Sequence, residues 1–163
     1  MQKFWWGVGS LATLGLIVLI VIWVWPNKPV ISSKIKSQLT STLLLPQDPR
    51  FKVEQTTIKF NKNLSLLTYY VSVFGHQVLM SEQPTPQSFI DIPQAYTQLV
   101  QGMNDYEDID VSVGTVHLTT PKQLNGAQAA ILNTDGTLSF GKPSGSLSVT
   151  QWRQYYDSFE VIH

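Results

Sequence analysis

Asp105, Glu107, Asp108 and Asp110 place four carboxylates within six positions, the tightest grouping of ligand-type side chains in the sequence. A hard cation such as calcium takes about six to eight oxygen ligands, and a loop with four carboxylates supplies several. This run is therefore the metal candidate, although it lacks the glycine and terminal glutamate of an EF-hand loop. A solvated helix-to-strand loop accounts for the same residues. Three histidines, His76, His117 and His163, fall in a turn, a strand and the C-terminus. None has a second histidine at the helical spacing that zinc sites use, so zinc is not expected.

Nucleophilic catalysis needs a serine or threonine oriented by a histidine, a spatial pairing that no spacing excludes. The sequence has no Gly-x-Ser-x-Gly elbow and no phosphate-cradling loop. Gly141-Lys142-Pro143-Ser144-Gly145 bears glycine but lacks a following Lys-Ser/Thr. No catalytic residue is assigned, no cofactor is expected, and the chain reads as a non-enzyme. Asn63-Leu64-Ser65 fits a glycosylation sequon, which matters only in a eukaryotic secretory setting.

Charge is segregated along the chain. Residues 26–62 hold seven Lys/Arg against two Asp/Glu, residues 63–121 hold six acids and no Lys/Arg, and the remainder balances. With little positive charge beyond Lys62, nucleic acid is not an expected partner. The simplest expectation is that the two charged halves pair with each other in the fold.

The elements that must position these residues follow from periodicity. Residues 51–163 read as one α+β domain. Val53, Ile58 and Phe60 suggest a strand, and Leu67, Tyr69, Val71 and Val73 alternate in a second. Gln77 to Ser81 returns as a third strand after a turn at Gly75-His76. Ile92, Tyr96, Leu99, Val100 and Met103 form a helical stripe behind Asp91 and Pro93. Strands over 109–113 and 115–118 follow, then two more joined by Asn133-Thr134-Asp135-Gly136. Ser148 with Gln151 makes a capping box ahead of Trp152, Tyr155, Tyr156 and Phe159, whose spacing predicts a helix packing aromatics on the sheet. At such spacing these rings are core more often than a recognition surface. The fold class predicted is α+β: an N-terminal transmembrane helix, then an antiparallel sheet packed with two or three helices.

That transmembrane helix is read from residues 4–25, which carry no formal charge. At about 1.5 Å per residue they span roughly 33 Å, against a hydrocarbon core of about 30 Å. Phe4, Trp5 and Trp6 at one end and Trp23 and Trp25 at the other suit the two interfaces. A cleaved signal peptide fits less well, because Trp23-Val24-Trp25-Pro26 offers no small-residue cleavage site. The expectation is a single-pass membrane protein anchored by residues 1–25. Residues 26–50 form a stalk in which Ile31, Ile35, Leu39 and Leu43 recur every fourth position as a short basic helix. Lys28, Lys34 and Lys36 are the candidates for contact with lipid headgroups, the alternative being a helix docked on its own domain with solvated lysines. Set against Lys3 alone, these lysines leave the side of the membrane undecided.

The order of pieces resembles a loose bacterial group of small single-pass proteins with an extracytoplasmic α+β domain of unknown function. It is similar to the outer domains of anti-sigma-like and sporulation regulators. The residues behind the resemblance are Ser81-Glu82-Gln83-Pro84, Leu124-Asn125-Gly126 with Ala129-Ala130-Ile131-Leu132, and Ser158-Phe159-Glu160. It implies an external domain and carries no catalytic residues, and a direct sigma-binding role is not expected. The reading is thus a membrane-anchored, non-enzymatic binding or accessory domain, with the lipid bilayer and an envelope or membrane protein as partners. One alternative is a subunit of a membrane complex whose helix packs on partner helices. Another is a hydrolase with an unrecognised site at His76 or His117.

Overall fold

From residue 43 onward the dominant period is two, and the described residues form ten strands. The computed structural model describes residues 31–39, 41–134 and 136–162. The strands are β1 (Leu43–Pro46), β2 (Lys52–Val53), β3 (Lys59–Asn61), β4 (Leu66–Val73), β5 (His76–Pro84), β6 (Asp105–Val111), β7 (Gly114–Thr119), β8 (Ala129–Asn133), β9 (Thr137–Pro143) and β10 (Phe159–Ile162). The helices are α1 (Ser33–Lys36), α2 (Gln87–Asp91), α3 (Pro93–Gly102) and α4 (Val149–Tyr156).

Eight strands form one antiparallel sheet in the order β2-β4-β5-β9-β8-β7-β6, with β3 also pairing β4. Its inner face is built by alternation. Leu67, Tyr69, Val71 and Val73 of β4 and Val78, Met80 and Glu82 of β5 are buried, while the residues between them are more open. A strand with one covered face requires that pattern. Phe74 and Gly75 close the β4–β5 hairpin with φ of 48° and 82°, the paired left-handed turn that suits twisted strands. The Phe74 ring is held edge-on to Phe51 at 5.3 Å.

Two elements cover the inner face. α4 opens on a capping box, in which Gln151 N–H donates to Ser148 Oγ and Ser148 N–H to Gln151 Oε1. It buries Trp152, Tyr155 and Tyr156 completely. The second is a separate antiparallel ribbon of β1 and β10, whose Leu43, Leu44, Leu45 and Phe159 join the same core. The opposite face carries α3, with Val100 buried and the Tyr96 ring set edge-on to His117 at 5.6 Å.

Several expectations are corrected here. Among the described residues strand outweighs helix, 42% to 25%, so this part is mostly antiparallel sheet with short helices, not the α+β fold led by a membrane-spanning helix that was expected. Among the described residues no helix is long and apolar enough to cross a membrane. The anchor expected over residues 1–25, with Phe4, Trp5, Trp6, Trp23 and Trp25, lies outside the described residues, as does Lys28. The single-pass and extracytoplasmic placement has no element beneath it in the described fold. The segment read as a stalk enters the core instead. Its helix is a single turn, and the fourfold spacing fails at Leu43, which begins a wholly buried apolar strand. A short apolar run cannot be assigned by period alone. Lys34 and Lys36 are exposed on α1.

Candidate functional site

The acidic run is an edge strand rather than a loop. Acidic residues are poor strand formers, but β6 is the last strand of the sheet and exposes all four carboxylates. Its register with β7 shifts after Asp105: Asp105 lies opposite Thr119, whereas Glu107 lies opposite Leu118 and Asp108 opposite His117. Tyr106 is the extra residue of a β-bulge. In a regular strand, positions three apart point to opposite faces. The bulge restores the parity, and Asp105, Asp108 and His117 emerge together on the α3 side of the sheet.

The three side chains converge. His117 Nδ1 lies 2.6 Å from Asp108 Oδ1 and 3.7 Å from Asp105 Oδ2. All three ligand-type atoms fall within 4.8 Å of one another. Burial and then the Asp108 charge raise the Asp105 carboxyl above its usual range, with His117 acting against them. Tyr96 reports the same negative field: its phenol is pushed up by burial and further by Asp108 and Asp105. Thr119, opposite Asp105, is fully buried, and its hydroxyl has no hydrogen-bond partner.

The bulge itself is anchored. The Tyr106 hydroxyl accepts a bond from Gln128 Nε2 at 2.6 Å. The same amide donates to the Leu147 carbonyl, and its oxygen accepts from Leu147 N–H and Trp152 Nε1, each at 2.9 Å. Gln128 therefore ties the bulge of β6 to the start of α4.

Of the residues singled out in the sequence, Asp105 and Asp108 are brought together and Glu107 and Asp110 are not. Glu107 takes the other parity, and Asp110 accepts a bond from Thr115 Oγ1 at 2.8 Å. The sequence presents His117 only as a catalytic or zinc candidate, and its tie to the acidic run is a cross-strand pairing that no spacing displays. His76 lies three strands away on β5, over Gly145. Among the described residues, no hydroxyl hydrogen-bonds either His76 or His117. His163 lies outside the described residues. Trp152, Tyr155 and Tyr156 belong to the core.

Comparison of the chain with protein-family models, curated proteins and solved structures finds no match.

Proposed function

We propose that this domain is a non-enzymatic binding module whose ligand centre is the trio Asp105, Asp108 and His117, suited to a divalent cation. The observation that carries the reading is the convergence of two carboxylates and an imidazole on one face, achieved only through the bulge at Tyr106. Opposite ligands of one ion stand about 4 to 5 Å apart, given metal–oxygen distances of about 2.0–2.6 Å. The atoms of the trio all lie within 4.8 Å of one another, inside that reach, and an ion entering between them replaces the 2.6 Å His117–Asp108 hydrogen bond, whose two atoms move apart to become neighbouring ligands. Two carboxylates suit Mn2+, and the imidazole is a better ligand for a transition-metal ion such as this than for calcium, which takes oxygen alone. A bound cation also offsets the Asp108 repulsion that adds to burial in raising Asp105.

Thermal unfolding with and without millimolar Mn2+ tests this. An ion present at about 100 times its dissociation constant stabilises by roughly 2.7 kcal/mol, a shift of several degrees. The wild type should show that shift, and Asp108→Asn and His117→Ala should abolish it. Equal melting temperatures with and without the ion in the wild type, or an undiminished shift in both variants, would refute the cation reading and leave the trio as an edge-strand ion pair.

A further inference from the structure

Glu82 sits in the middle of the buried face, 2% exposed, with no part in the site above. Its Oε2 accepts a bond from the Leu44 backbone N–H at 3.0 Å, and its Oε1 lies 2.5 Å from the Tyr69 hydroxyl. That hydroxyl also lies 3.1 Å from the Leu44 carbonyl oxygen. A phenol has one proton and cannot donate to both.

The ribbon explains why Leu44 needs two side-chain partners. Gln47 N–H donates to the Ser158 carbonyl at 2.8 Å. Bonded pairs alternate in an antiparallel ladder, so Leu45–Glu160 and Leu43–Ile162 exchange hydrogen bonds and Leu44–Val161 does not. Pro46, which has no N–H, fills the next non-bonded position. The Leu44 N–H and C=O therefore point away from β10 and into the molecule, where Glu82 and Tyr69 stand in for a neighbouring strand.

We propose that Glu82 is buried as the neutral acid and closes a three-bond ring with Tyr69 and Leu44, a proton-operated latch between the β1–β10 ribbon and the main sheet. In the ring, Leu44 N–H donates to Glu82 Oε2. The Glu82 Oε1–H donates to the Tyr69 hydroxyl, which donates to the Leu44 carbonyl. When the proton leaves to water, the Tyr69 proton turns to the carboxylate, the Leu44 carbonyl loses its donor, and an anion remains in the core. The titratable groups facing it are Tyr69 from β4 and Tyr155 and Tyr156 from α4, phenols that bring no positive charge; β1 contributes the Leu44 amide. Burial raises Glu82 from 4.5 to about 7, opposed by the Tyr69 and Leu44 bonds. The folded value lies above the unfolded one, so the stability of the closed latch is full below about 4.5 and is lost as pH rises through about 7. Opening is thus an alkaline event, the reverse of an acid-triggered switch.

The test is thermal unfolding of the full chain between about pH 5 and pH 8.5, wild type against Glu82→Gln. The glutamine amide reproduces the neutral ring and cannot ionise. The wild type should lose roughly 5–10 °C across that range relative to the variant, and the variant should be the more stable of the two at the alkaline end. Parallel curves overturn the proposal. Infrared difference spectra of the wild type remain decisive if the variant does not fold. A protonated carboxyl band should disappear between the two pH values as amide exchange at Leu44 accelerates beyond its intrinsic pH dependence, whereas an ionised Glu82 throughout rules the latch out.

Discussion

Asp105 is a residue whose environment works against the fold. Its carboxyl is raised by burial and by Asp108, so folding makes this group harder to ionise. The stability this group contributes is complete below its unfolded pKa and is lost as pH climbs through the folded value. Asp105→Asn removes the repulsion. Without metal near neutral pH, that variant should melt at or above the wild-type temperature by calorimetry, while losing the response to Mn2+. Stability gained with binding lost is the signature of a residue kept for a ligand. The acidic residues were legible as a candidate because they are dense in the sequence. Their third partner was not, because His117 is nine positions from Asp108 and meets it only across a strand pair. Glu82 was equally hidden: one acid in an alternating strand shows no sign that it faces inward until the neighbouring strands are placed.

At the scale of elements, the Ser148–Gln151 box and the stripe through Tyr96 and Val100 were readable, and each corresponds to a helix. The cap expected at Asp91 was not met, because Ile92 holds that position without a side-chain bond, and Phe159, expected on the last helix, begins β10. β6 was read only in its second half, within the strand expected over 109–113; its acidic first half was not, since aspartates and glutamates argue against a strand and only an edge position tolerates them. Its geometry depends on Gln128, whose side chain joins Tyr106, Leu147 and Trp152. Gln128→Ala leaves the indole N–H and the Leu147 amide without partners in a part-buried place. The cost should be roughly 2–3 kcal/mol, seen as a lower urea midpoint with unchanged slope. The freed bulge should also weaken the Mn2+ response.

At the scale of the whole molecule, the two charged halves do not neutralise each other by contact among the described residues. Lys52 and Lys59 lie on β2 and β3 along one edge of the sheet, and the four acids lie on β6 at the other. Among the described residues, the ion pairs are Arg50–Asp48 and those of His117 with Asp105 and Asp108. The sheet therefore carries opposite charges on its two edges, and the lysine edge is not part of what holds the fold together. Lys59→Glu should change the unfolding free energy by less than about 0.5 kcal/mol in chemical denaturation, where a paired lysine would cost more. Charge order along the chain reveals composition but not which edge each strand takes, so the expected pairing was reasonable and unfounded. The most direct measurement of the cation reading is amide NMR of the wild type titrated with paramagnetic Mn2+. At substoichiometric ion, broadening should centre on Asp105, Asp108, His117 and Thr119 and spare the lysine edge. Broadening scattered evenly over the acidic surface, or none at all, would contradict it.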